Sequence, residues 1–267
     1  MTDAPAILTE RTDGILTVRL NRPATRNAQG PALWRELAAI GSSLDPAVRA
    51  VVLCAEGPSF SAGLDRRMLT PEGIPGEGSM LDFARMQPDE LDALIATFQQ
   101  AFTWWRRADV VTVAAVQGHA VGAGFQLALG CDVMVVADDV ALSMKEPSLG
   151  LVPDLGGTLP LVEAVGYSRA LELVVSGRWV GAEEAVRIGL ALRSVPVGEL
   201  EAAAREVAAG CATALPGAVA GTKALLRDAA GGGDWAAAHE RQVAAERGAQ
   251  GVRIRELVTM LAGQSGR

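Results

Sequence analysis

Three stretches carry the residues that could do chemistry: PSFSAGLDRRM at 58–68, GHAVGAG at 118–124 and SMKEPSLGLVPDLGGTLPL at 143–161. In GHAVGAG, glycines follow a strand-like run and precede an apolar helical run. Glycines at such a junction permit tight turns and close backbone approach, and the first amides of the helix have no partner within it. The result is a pocket for negative charge, whose source the glycines do not name. In PSFSAGLDRRM, Ala62 and Gly63 allow close approach, and the amide of Leu64 can donate at the start of the next turn. No GxSxG elbow or nearby histidine activates a serine there. Arg66 and Arg67 stand beside it, either as phosphate partners or as solvated surface arginines. In the third stretch Glu146 sits beside a strand end in apolar surroundings, where burying an idle carboxylate is costly. Asp154 precedes a glycine pair, where it either caps a helix from about residue 157 or takes part in proton transfer.

The composition leaves few alternatives to these groups. The chain has 267 residues, with two histidines, three cysteines, one tyrosine and 4% aromatic residues. His119 and His239 are far apart, and Cys54, Cys131 and Cys211 show no CxxC spacing, so no metal centre is expected. The odd cysteine number and the acidic, apolar-poor opening MTDAPA point to a reducing, cytoplasmic compartment. A net charge of −7 argues against a nucleic-acid surface. Lys145 and Lys223 are the only lysines, so an anionic ligand meets mostly guanidinium groups. Val110 to Cys131 carries no formal charge and is long enough for a membrane span, but Gln117, His119, Gln126, its glycines and a change of period argue against insertion. GxxxGxG also occurs beneath dinucleotides in short-chain dehydrogenases. Those proteins carry it near the N-terminus and add Tyr-x-x-x-Lys, whereas Tyr167 is followed four places on by Leu171.

The elements that must position these groups alternate through the first half. Residues 6–11 and 15–20 flank a Thr-Asp-Gly turn and read as a hairpin. Leu33, Leu37 and Ile40 predict a helix from Pro31 to about Ser43, followed by a buried strand at 50–54. Residues 70–80 read as a surface loop, 89–107 as a helix, and 110–116 and 133–137 as strands. From 156 onward helices are predicted at 157–165, 168–176, 182–188, 198–211, 217–228 and 234–247, with a hinge at Gly231–Gly233.

Taken in order, LNRPATRNA (20–28), FSAGLD (60–65), AAVQGHAVGAGFQLALGCD (114–132), EPSLGLVPDLGGT (146–158) and SGRWVGAEEAVRIGL (176–190) resemble the crotonase superfamily, the enoyl-CoA hydratase/isomerase proteins, over roughly residues 6–228. The resemblance implies an α/β fold: a crotonase-like spiral of repeated ββα units over residues 1–200 that binds acyl-CoA. Residues 201–267 would form a helical region for trimerisation and capping, in a homotrimer or a dimer of trimers. It implies an acyl-CoA thioester as partner, with coenzyme A as part of the substrate and no separate cofactor. By position, the amides of Leu64 and Ala123 form an oxyanion hole. Ala24, Arg26, Ala62, Leu64, Asp65, Arg66 and Ala123 fall around the CoA moiety, with Arg26 or Arg66 as phosphate partner.

Hydratases of this kind resemble one another in carrying two glutamates, one activating water and one exchanging the α proton. This chain has Gln126 at the first place and Glu146 at the second. An amide is no general base, although Gln126 could hold a water by hydrogen bonds. One carboxylate suffices to shift a double bond from the 3 to the 2 position, and Glu146 matches the base of such isomerases. Asp154 falls where dienoyl-CoA isomerases carry a second carboxylate, though those also have aspartate where this chain has Gln126. The expectation is isomerase-type proton transfer by Glu146, assisted by Asp154. The alternatives are hydration with a water on Gln126, and acyl-CoA binding without catalysis. Residues 70–90 and the helix bearing Phe98, Phe102 and Trp105 would shape the acyl pocket, although such a stripe equally suits plain core. ERGAQG at 246–251 departs from the acidic-plus-glycine ending common in the family.

Overall fold

The computed structural model describes residues 4–231 and 235–264. Its strands are β1 (Ile7–Thr12), β2 (Ile15–Leu20), β3 (Ala50–Ala55), β4 (Val111–Val116), β5 (His119–Val121), β6 (Val133–Ala137), β7 (Ala141–Ser143), β8 (Val180–Gly181) and β9 (Arg193–Val195). Its helices are α1 (Pro31–Ser42), α2 (Met80–Arg85), α3 (Pro88–Thr103), α4 (Ala123–Gly130), α5 (Thr158–Val165), α6 (Tyr167–Ser176), α7 (Ala182–Arg187), α8 (Leu200–Ala212), α9 (Pro216–Gly231) and α10 (Trp235–Gln264).

The chain starts with a hairpin because Asp13 and Gly14 both take positive φ, which the two central residues of a tight β-hairpin turn require. Beyond it, β2, β3, β4, β6 and β9 run parallel in the order β1-β2-β3-β4-β6-β9. Parallel strands covered on both faces need apolar side chains on both, and all six residues of β3 are buried. The two-residue period divides them. Val51 and Leu53 join the large core that also holds residues of α1, α3 and α4, while Ala50, Val52 and Cys54 meet Leu200, Ala203, Ala204 and Ala208 of α8 on the opposite face. The helical region after residue 200 therefore begins with a helix seated on the sheet.

A second sheet, β5-β7-β8, explains the ββα rhythm: β4 and β6 are each followed by a short strand of that sheet. Strands of two or three residues carry no periodicity, and β5 and β7 are absent from the sequence reading for that reason. The helix expected over 89–107 ends at Thr103 and tightens into a 3-10 turn at Trp104–Arg106. A short helix, α2, closes the 70–80 loop and is capped by a reciprocal Ser79–Asp82 box. The helix expected over 234–247 continues to Gln264. Gly232 and Gly233 of the expected hinge lie outside the described residues. Among the described residues, no helix is long and apolar enough to cross a membrane.

Candidate active site

The loop after β3 and the start of α4 face each other because glycines let them. Gly63 has φ +81°, and a Cβ there would overlap the Val121 carbonyl oxygen and stand 3.6 Å from the Ala123 nitrogen. Gly122, at φ 50° and ψ −118°, turns the chain from β5 into α4. Both conformations are ones that side-chain-bearing residues rarely adopt. The loop is held from behind by Ser61, whose hydroxyl donates to the Asn27 carbonyl (2.7 Å) and accepts from the Gly63 amide (3.1 Å). Ser61 is thereby a scaffold group. Among the described residues, the amides of Leu64 and Ala123 have no acceptor. Both residues line one cavity of about 400 Å³.

Glu146 lines that cavity at the head of a 3-10 turn, Glu146–Leu149. A Cβ on Gly122 would be 3.1 Å from its Oε1, so the carboxyl sits directly beneath the turn that presents the Ala123 amide. Its Oε1 accepts from Gln126 Nε2 at 2.7 Å. Its Oε2 is buried and has no partner among the described residues. Burial raises the pKa of this carboxyl above the ordinary glutamate value, against its own backbone amide and the hydrogen bond from Gln126. That is the direction a proton-transferring carboxyl needs near neutrality.

Asp154 lines the same cavity. It does not cap α5, which starts after Gly157 with no side-chain cap. Burial, then the charges of Glu146 and Glu246, hold Asp154 well above the usual carboxylate range. Four buried side chains from three helices hold the backbone of its loop. Gln250 accepts from the Val152 amide (3.1 Å), Gln99 donates to the Asp154 carbonyl (2.6 Å), Gln126 accepts from the Leu155 amide (3.0 Å) and Glu246 accepts from the Gly156 amide (2.7 Å). Glu246 also accepts from the Thr158 hydroxyl. ERGAQG therefore packs against the acidic loop through its first and fifth residues. The sequence reading missed Gln99, Glu246 and Gln250. Their signal was available: each polar side chain sits on an otherwise apolar helical stripe, with Leu91, Ile95, Phe98 and Phe102 around Gln99, and Val243 and Ile254 around the other two.

Of the other expected residues, Ala62 and Arg66 line the cavity, Arg66 with an exposed side chain. Asp65 turns away. Its carboxylate pairs with Arg67 at 2.7 Å and caps the 3-10 turn that follows, which decides which arginine of the pair faces the cavity. Ala24 and Arg26 are exposed on a neighbouring turn, joined to the site by the Ala62 amide donating to the Arg26 carbonyl at 2.8 Å, and do not line the cavity. Lys145 does line it, with its ammonium turned to the Gly177 carbonyl and over the Trp179 ring at 4.8 Å. Neither histidine lines the cavity, and burial pushes His239 down to about 4. Ser148 and Gln250 also line it, and the rest of the wall is mostly apolar, with Trp34, Met68, Met80, Phe83, Ile95 and Phe98. Phe98 thus belongs to the pocket as well as the core, whereas Phe102 and Trp105 are core alone.

Fold and site define a protein of the crotonase type. The family model "Enoyl-CoA hydratase/isomerase" matches residues 10–250, and the chain belongs to that family. It is 34% identical over 207 residues to a probable enoyl-CoA hydratase of Mycobacterium bovis, covering 76% of this chain and 73% of the relative. It is 34% identical over 220 residues to carnitinyl-CoA dehydratase of Escherichia coli K12, covering 81% and 78%. A solved structure of a protein from Thermobifida fusca YX, described as a candidate enoyl-CoA hydratase in complex with acetoacetyl-CoA, superposes with a TM-score of 0.81 at 44% identity, over 91% of this chain and 94% of that one.

Proposed function

We propose that this protein is an acyl-CoA enzyme that shifts the double bond of an apolar 3-enoyl thioester to the 2 position. The thioester oxygen accepts from the Leu64 and Ala123 amides. Glu146 Oε2 takes a proton from C2; the C2–H electron pair forms the C2–C3 double bond and the old C3–C4 π pair is protonated at C4 by the same carboxyl. Between the two transfers, negative charge rests on the thioester oxygen. Two fixed amides at a helix start hold it without reorganisation, each worth roughly 3 kcal/mol of barrier. Asp154, whose burial raises its pKa well above the usual carboxylate range, assists at the acyl end. Arg66, exposed at the cavity, is the guanidinium that would meet the CoA phosphates.

The observation that carries this reading is a buried, unpartnered carboxyl oxygen, Oε2 of Glu146, a residue lining the cavity that the two free amides share. Hydration by two carboxylates would need a base where Gln126 stands. Gln126 is 1% exposed, does not line the cavity and spends its amide on Glu146 and its carbonyl on Leu155, which disfavours it as a holder of water. Glu146→Gln tests the reading. It should abolish solvent-deuterium exchange at the acyl α and γ carbons while CoA-thioester binding persists; undiminished exchange would overturn it.

A further inference from the structure

We propose that Gln126 is a positioning residue: it fixes Glu146 as a base with one working oxygen and ties that base to the loop bearing Asp154, so that the two carboxyls keep different tasks. The inference rests on the isomerase reading of the site.

The orientation of the Gln126 amide is dictated by its partners. The Leu155 amide can only donate, so it must meet the side-chain oxygen, at 3.0 Å. The NH₂ group is then left for Glu146 Oε1, at 2.7 Å. A glutamate could not make both bonds while ionised. Gly157 seals the arrangement, since a Cβ there would lie 2.8 Å from Gln126 Cγ, leaving the side chain no room to swing. A fixed donor on Oε1 favours the ionised carboxylate against its burial and leaves Oε2 as the oxygen without a partner.

No other side chain takes this part. The charged groups facing Glu146 are Asp154 from the loop before α5, Arg66 from the loop after β3 and Lys145 on its own turn; Glu246 of α10 faces Asp154. The Lys145 ammonium is engaged by the Gly177 carbonyl and the Trp179 ring. Among the described residues no cation pairs with Glu146, and the Gln126 amide is its side-chain donor.

The test is the pH dependence of isomerisation in Gln126→Leu and Gln126→Glu, each assayed with a 3-enoyl-CoA thioester. Loss of the donor should cut kcat about 10-fold or more, the range for a hydrogen bond to a charged group, with little change in KM. The acidic limb of kcat/KM should move to higher pH in both variants, because neither offers a permanent donor to ionised Glu146. A purely structural role would lower kcat and leave the limb where it is, and that result overturns the proposal, as does a wild-type profile. Gln126→Glu keeps the volume and an oxygen for the Leu155 amide, so an unmoved limb there overturns the proposal even should Gln126→Leu fail to fold. Glu146→Gln run in parallel separates the two claims: retained turnover there defeats the base assignment itself, whereas abolished turnover with unmoved limbs in the Gln126 variants defeats only the positioning role.

Discussion

The amides of Leu64 and Ala123 converge on one cavity because Gly63 lies so close to α4 that a side-chain carbon on it would stand 3.6 Å from the Ala123 nitrogen. The arrangement is backbone chemistry, and an ordinary side-chain substitution does not remove it. Proline at position 123 does. Proline is tolerated at the first position of a helix and carries no N–H. Ala123→Pro should fold and bind thioester, yet lose kcat by about 10² to 10³, the effect of deleting one such donor. Steady-state kinetics beside a CoA-binding titration check this.

Glu246 supplies a charge near Asp154 as well as a hydrogen bond to its loop. Glu246→Gln keeps an acceptor for the Gly156 amide and removes the charge. A like charge raises the pKa of a carboxyl, so its removal lets Asp154 ionise at lower pH. The basic limb of the pH–rate profile should move down in this variant. An unmoved limb would mean that Asp154 is not the acid that limb reports.

Asp154 also leaves a mark on stability. Burial holds it protonated in the folded chain beyond the pH at which it ionises when unfolded. For a carboxyl raised in this way, the folded state binds the extra proton, so stability is full below about pH 4 and is lost as pH rises through the raised value. Asp154→Asn should therefore raise the thermal midpoint at about pH 8 by at least ~2 °C, the equivalent of roughly 1 kcal/mol in a chain of this size. The gain should shrink to nothing at about pH 4. Melting curves at the two pH values decide it.

The apolar wall of Trp34, Met68, Met80, Phe83, Ile95 and Phe98 sets the preference for acyl groups. Each methylene buried there contributes roughly 0.8 kcal/mol, so kcat/KM should rise about fourfold per carbon until the cavity is full and then fall. A ladder of thioesters from four carbons upward measures this. A flat response would place the acyl group elsewhere.

Much of this was legible in the sequence, for reasons that differ by residue. Leu64, Ala123, Glu146 and Asp154 stand in short motifs whose glycines constrain the local backbone, and local constraint survives in sequence. The six-stranded sheet was legible where strands run five or six residues, as in β3 and β6. Arg66 and Arg67 were indistinguishable until Asp65 captured one of them. Whether Asp154 caps a helix depended on where α5 begins, a matter of a few residues. The clamp of Gln99, Gln126, Glu246 and Gln250 was out of reach for another reason. A polar residue on an apolar stripe announces that it needs a partner, but the partners lie up to 148 positions away and are chosen by packing.

The most direct test follows ultraviolet absorbance of the conjugated thioester with purified protein and two substrates, a 3-enoyl-CoA and the 2-enoyl-CoA of the same chain length. The account predicts that absorbance grows with the first, as the double bond moves into conjugation, and that Glu146→Gln abolishes the growth. Loss of absorbance with the 2-enoyl thioester through net addition of water, with no gain from the 3-enoyl one, would contradict it.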